Sequence, residues 1–136
     1  MHRENPEIES REAALDVLLV EDSEMVRREI ERALRSLPSV QEVIPCAGVG
    51  EARQRLGERS FDVWVLDFRL DDGTALDLVQ DRGSAEVVVV TAEPTAGIRE
   101  RCRAAGVAHF LDKAEGLAGL EEALSPAEPG RRRGAG

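Results

Sequence analysis

Five short apolar runs, each followed by a stretch of helical spacing, constrain this chain more than any other feature. "DVLLV" (16–20), "VQEVIPC" (40–46), "DVWVLD" (62–67), "EVVVV" (86–90) and "VAHFL" (107–111) read as strands. The first, third and fourth are nearly continuous Val and Leu, as expected of strands buried on both faces. After the first run, Val26, Ile30, Ala33, Leu34 and Leu37 recur at helical spacing. Asp22 or Ser23 can cap that helix, and Pro38 ends it. Further helical patterns occupy "GVGEARQRLGE" (48–58), "GTALDLVQD" (73–81), "IRERCRAAG" (98–106, closed by Gly106) and "GLAGLEEAL" (116–124). Regular alternation of this kind predicts an α/β fold with a parallel sheet covered on both faces. Right-handed crossovers leave few topologies, and the expected one is a doubly wound five-stranded sheet of order 2-1-3-4-5. Its ligand crevice lies beyond the carboxyl ends of the central strands.

A length of 136 residues gives room for one domain with a real core. The expected domain covers residues 15–124, with disordered tails over 1–14 and 125–136. The longest apolar run, around Val87–Val90, is far too short to span a bilayer. The opening "MHRENPEIESRE" is polar where a secretion signal would be apolar, so a cytoplasmic location is expected. Cys46 and Cys102 form neither a metal spacing nor a disulfide framework and read as small core residues. A formal charge of −9 argues against nucleic acid as a partner of the domain. The basic "RRR" at 131–133 reads as a solvated end. His2 and His109 have no Ser or Cys at a spacing that suggests a hydrolase.

The strand ends carry the chemistry. The first strand runs into Glu21 and Asp22, the third into Asp67, the fourth into Thr91 and Ala92, and the fifth through Phe110 to Lys113. Any one of these could be a cap, a turn residue or an exposed charge. Their convergence on one crevice is much harder to ascribe to chance. Lys113 adds an independent hint, because of 18 basic residues it alone is a lysine. A compact, mobile point charge suits a site where a planar guanidinium would not. Three close carboxylates repel one another unless a cation sits among them. Oxygen ligands of this kind select a hard ion such as Mg2+. An aspartate beside a divalent cation, faced by an ammonium and a hydroxyl, is equipped for phosphoryl transfer. Asp67 is then the nucleophile and would form an aspartyl phosphate.

The segments "LLVEDSEMVRR", "DVWVLDFRLDDGTALDLV", "VVVVTAEP" and "HFLDK" together resemble the receiver domain of two-component response regulators, over about residues 15–124. The resemblance implies a flavodoxin-like three-layer sandwich. It implies that Asp67 accepts phosphate from a histidine kinase or a histidine phosphotransfer protein. Asp22 and Asp67 would ligate Mg2+ directly, Glu21 through water, and Arg69 with its backbone carbonyl. Thr91 would hydrogen-bond the phosphoryl group, Ala92 would leave it room, and Lys113 would pair with its charge. Phe110 matches the switch aromatic that turns inward once the Thr91 hydroxyl has moved. Arg69 and Glu93 occupy the positions that flank the approach of water. As a charged pair they would prolong the life of the phosphoprotein.

Three departures stand out. Asp71 replaces the family's common proline, and Ala75 a frequent glycine. Only 24 positions separate Asp67 from Thr91, so the third helix and its following loop should be short. A pseudo-receiver that binds without phosphorylation is one alternative, but it would be expected to lose the acid pair, Asp67 or Lys113. An aspartate-nucleophile phosphatase is another, suggested by "LDDGT" (70–74), although Leu70 stands where that motif needs Asp. The expected reading is therefore a regulatory phosphoacceptor and not an enzyme. It would be a stand-alone receiver with no DNA-binding domain and no membrane segment. It would dock its kinase on the first helix and its downstream partner on the fourth helix, fifth strand and fifth helix.

Overall fold

The computed structural model describes residues 14–124. Except for Ala14, the two expected tails, with His2 and Arg131–Arg133, lie outside the described residues. The sheet strands are β1 (Leu15–Val20), β2 (Val40–Cys46), β3 (Val63–Asp67), β4 (Glu86–Thr91) and β5 (His109–Asp112). The helices are α1 (Glu24–Arg35), α2 (Val49–Glu58), α3 (Leu76–Val79), α4 (Ala96–Ala105) and α5 (Ala118–Leu124). All neighbouring strands pair in parallel, in the order β2-β1-β3-β4-β5. This is the flavodoxin-like order expected from the alternation of runs.

The near-continuous apolar strands divide cleanly by the period of two. Val17, Leu19, Val63, Val65, Val88 and Val90 pack with Ile30 and Leu34 of α1 and Leu120 and Leu124 of α5. Leu18, Val20, Trp64, Leu66, Val87 and Val89 pack on the other face with Val49, Ala52, Leu78, Val79, Ile98 and Cys102. Both faces are therefore covered. Burying a side chain of this size is worth about 1.5–3 kcal/mol, so the sheet is the main source of stability.

Local signals set several helix ends. Ser23 Oγ accepts from the Val26 N–H at the start of α1 (3.3 Å), and Thr95 Oγ1 accepts from the Ile98 N–H at the start of α4 (3.2 Å). Gly106, at φ 97°, closes α4 in the left-handed conformation that glycine tolerates best. Two expectations need correction. The helix expected over 73–81 is only the four residues Leu76–Val79. Gly73 and Thr74 are instead drawn into a hairpin, pairing with Leu70 and Arg69. The last strand begins at His109 and not Val107, whose N–H turns back to the Cys102 carbonyl (3.0 Å). The shortness of α3 agrees with the narrow Asp67–Thr91 interval. Beside it, at the amino edge of the sheet, a cavity of about 700 Å³ is lined in part by Leu56, Phe61, Trp64 and Leu78.

Candidate functional site

Parallel pairing brings the reactive residues to one level. Val20 of β1 is in register with Leu66 of β3, so Glu21 and Asp67 follow at the same height. Asp67 pairs with Val90, and Thr91 pairs with Asp112, the residue before Lys113. Backbone register alone thus gathers groups from four strand ends.

Carboxylate oxygens of Glu21, Asp22 and Asp67 lie within 4.8 Å of one another. Glu21 is almost wholly buried and Asp67 nearly so, at 1% and 9% exposure. Lys113 Nζ sits 2.9 Å from Glu21 Oε1 and 3.4 Å from Asp67 Oδ2. Glu21 is further fixed by the Ser23 N–H, which donates to its Oε2 (3.1 Å). Arg27 donates to the Glu21 carbonyl (2.9 Å), tying α1 to the same corner. Thr91 is buried, and its hydroxyl oxygen accepts from the Glu93 N–H (3.0 Å). Ala92 follows it, exposed at the mouth.

The electrostatics follow from this crowding. Burial, then the Glu21 charge and more weakly that of Asp22, push the Asp67 carboxyl up to about 7 against the opposing pull of Lys113. For Lys113, burial works against the charged form, but the hydrogen bond to Glu21 and the nearby Asp67 charge outweigh it and the ammonium is held above its ordinary range. The donor set is all oxygen and carries more negative charge than one ammonium neutralises. It therefore fits a hard divalent cation.

The outer wall is the hairpin Arg69–Leu70/Gly73–Thr74, whose two-residue turn is Asp71–Asp72. Arg69, the proposed source of a backbone carbonyl ligand, opens it. The Arg69 Nε–H donates to Glu93 Oε1, so the two expected flanking residues do meet. Asp72 Oδ1 and Oδ2 accept from the Val49 and Gly50 N–H groups (2.8 and 2.9 Å), capping α2 from a different segment of the chain. These bonds hold the Asp72 carboxyl below its usual range. Its neighbour Asp71 is exposed, and the nearby Asp22 carboxyl pushes the Asp71 carboxyl upward. Neither role was foreseen. The signal available was the Asp-Asp-Gly run, which suits a two-residue hairpin turn. On the opposite side the Arg99 guanidinium stacks over the half-buried Phe110 ring, 4.6 Å from its centroid. This too was not anticipated.

A family model of the response regulator receiver domain matches residues 17–125. The chain belongs to this family. Receiver domains are regulatory phosphoacceptors of two-component systems, and aspartate phosphorylation with Mg2+ at an acidic pocket is typical of them. The receiver is 40% identical over 65 residues to the DNA-binding transcriptional activator DevR/DosR of Mycobacterium tuberculosis, covering 48% of this chain and 30% of that protein. It is 31% identical over 114 residues to the response regulator protein PilR of Pseudomonas aeruginosa, covering 81% of this chain and 25% of that protein. It thus spans under a third of either relative's length. Its fold is similar to that of the response regulator TrrA of Thermotoga maritima, solved with Mg2+ and BeF (TM-score 0.69, 17% identity, covering 80% of this chain and 95% of that one). Among the described residues, no helix is long and apolar enough to cross a membrane. Leu70, where a phosphatase motif would need Asp, is buried in the core.

Proposed function

We propose that this receiver accepts a phosphoryl group on Asp67 from a histidine kinase or histidine phosphotransfer protein with Mg2+, in the cytoplasm, and signals by protein contact. The observation that carries the reading is the placement of Lys113 Nζ between Glu21 and Asp67 at the carboxyl edge of the sheet. In the reaction an Asp67 oxygen attacks the phosphorus of a phosphohistidine. The P–O bond forms as the P–N bond breaks, and the imidazole nitrogen keeps the electron pair. Only ionised Asp67 can attack, and burial together with the Glu21 charge delays its ionisation to about pH 7. A divalent cation held by Asp22 and Asp67, with Glu21 acting through water and the Arg69 carbonyl completing the set, would favour the ionised form and offset charge on the phosphoryl oxygens.

Lys113 would exchange its Asp67 contact for a phosphoryl oxygen. The Thr91 hydroxyl would turn to the phosphoryl group, with Ala92 leaving it space. Phe110 would then move into the volume that Thr91 vacates, giving up the Arg99 guanidinium. That exchange would alter the surface formed by α4, β5 and α5, where a downstream protein would bind. Kinase docking is assigned to α1, whose Met25 is 79% exposed. Incubation with acetyl phosphate and Mg2+ should add one phosphoryl group, detected by intact-protein mass. Asp67→Asn and EDTA should each abolish the addition. Equal labelling of Asp67→Asn would overturn the assignment.

A further inference from the structure

The phosphoryl chemistry makes no use of the cavity of about 700 Å³ at the amino edge of the sheet, at the far end of β3 from Asp67. This cavity opens between the end of α2 and the short α3, and its size suits a small organic ligand. Leu56, Phe61, Trp64 and Leu78 supply its apolar wall, the last three being buried. The Trp64 indole N–H is itself buried and has no hydrogen-bond partner, a costly state for a donor. Arg53 and Arg82 line the same cavity. Arg53 donates to the Asp77 carbonyl (2.9 Å), and Arg82 to the Ala105 and Val79 carbonyls (3.1 and 3.3 Å). These bonds fix both guanidiniums to the backbone without neutralising them, and each keeps N–H donors to spare. Among the described residues neither has a carboxylate within ion-pair distance. Arg59, the third cation of the lining, is already paired with Asp16 and Glu42, and Glu58 is paired with Arg55. That leaves Asp81 as the one acid of the lining without an ion pair among the described residues. Two unneutralised guanidiniums against one carboxylate leave the cavity short of a single negative charge.

We infer that this cavity is a binding site for a small aromatic carboxylate, with the ring against Phe61 and Trp64 and the carboxylate held by Arg53 and Arg82. A planar guanidinium matches a carboxylate in a two-bond contact, and anchoring it beforehand lowers the ordering cost of binding. Contact between rings favours an aromatic body over an aliphatic one. The unpaired indole N–H offers a donor to any acceptor seated against it. Because Asp81 lines the cavity too, one negative charge is taken better than two. The site stands apart from the reading of Asp67 as phosphoacceptor and does not depend on it.

Trp64 is the chain's single tryptophan, so its fluorescence reports on this wall alone. The full chain is titrated with 3-phenylpropionate, and with 3-phenylpropanamide as the neutral counterpart, by fluorescence and by calorimetry. The acid should give a saturable fluorescence change, and the amide should bind about tenfold more weakly. Arg53→Gln and Arg82→Gln should each weaken the acid about fivefold and leave the amide within about twofold. Arg82 also ties α3 to α4, so Arg53→Gln and the amide carry the test if Arg82→Gln does not fold. Asp81→Asn should tighten the acid about twofold. Arg103→Gln removes an exposed cation of α4 that is not part of the cavity lining, and should match wild type. No saturable change at millimolar acid would overturn the inference. An amide that bound as tightly as the acid would overturn it too. So would an equal loss in Arg103→Gln, by making the effect one of general charge.

Discussion

On its inner side the crevice is made of strand ends. Glu21, Asp67 and Thr91 are buried there, each one step beyond or at the end of a strand whose register is fixed by a packed sheet. On its outer side it is made of a hairpin and a loop, and Arg69, Asp71, Asp72 and Glu93 are exposed. The inner groups are held by backbone position, and their crowding in a buried place raises the Asp67 carboxyl. The outer groups are held by side-chain bonds that reach across the chain, as Asp72 reaches α2. Chemistry is thus anchored in residues placed by the packed sheet, and the mouth is built from residues placed by side-chain bonds of the hairpin and loop.

The inner side should show itself first in stability. The ordinary value of the Asp67 carboxyl is 3.8, and in the folded metal-free protein it stands at about 7. Below about pH 4 it is protonated whether the chain is folded or not, and contributes no difference. Between about 4 and about 7 the folded state keeps a proton that the unfolded state has released, so stability falls as pH rises. Above about 7 the whole cost is carried. The expected cost is on the order of 2 kcal/mol. Urea unfolding in EDTA at pH 5 and pH 8 measures it. Asp67→Asn should lack this part of the pH dependence, and Mg2+ should restore wild-type stability at pH 8. A pH difference identical in wild type and variant would remove the distinction drawn for the inner side.

The same contrast governs what could be read from the sequence. A parallel sheet turns the question of which residues meet into the question of which residues follow the apolar runs, so Glu21, Asp22, Asp67, Thr91 and Lys113 were legible as a group. The arginine-rich composition singled out Lys113 without any structure. The outer wall was less legible. Asp71 and Asp72 are adjacent in sequence, yet Asp72 reaches back to the Val49 and Gly50 N–H groups while the Asp71 carboxyl feels Asp22. That divergence depends on a hairpin that replaces the start of the third helix, and the apolar spacing of Leu76 and Val79 does not reveal where a helix begins. The Arg99–Phe110 contact was hidden for a related reason, because it joins an exposed side chain of one element to a half-buried one of another with no periodic pattern.

A smaller effect tests whether the outer side controls access. Hydrolysis of an aspartyl phosphate needs water in line with the phosphorus, opposite the Asp67 oxygen. Arg69 and Glu93, proposed to flank that approach, are bonded to each other, with side chains 64% and 53% exposed. An exposed pair adds at most about 1 kcal/mol to stability. As a barrier to water, about 1.4 kcal/mol would slow hydrolysis roughly tenfold. Dephosphorylation should be faster by up to that factor in Arg69→Ala and in Glu93→Ala, with no further gain in the double variant. Wild-type rates in all three would show that the bridge does not gate.

The smallest expected effect concerns the bond that holds the outer wall in place. Gly48 precedes α2 and supplies no side-chain cap, so the helix depends on Asp72 for its first N–H groups. A β-carbon added at Gly48 would stand 2.7 Å from Asp72 Oδ1, too close for the cap to stay where it is. A β-carbon added at Gly57, inside the same helix, would meet nothing within 4 Å. Helix propensity alone favours alanine at Gly57, because glycine loses more backbone freedom on folding. The two substitutions should therefore move the melting temperature in opposite directions. Gly48→Ala should lower it by about 4 °C and Gly57→Ala raise it by about as much. Asp72→Ala should reproduce the Gly48→Ala loss, and combining the two should add little, since both remove the same cap. If Gly48→Ala were stabilising, or if its loss simply added to that of Asp72→Ala, the cap would not be what joins the hairpin to α2. The outer wall would then need another anchor.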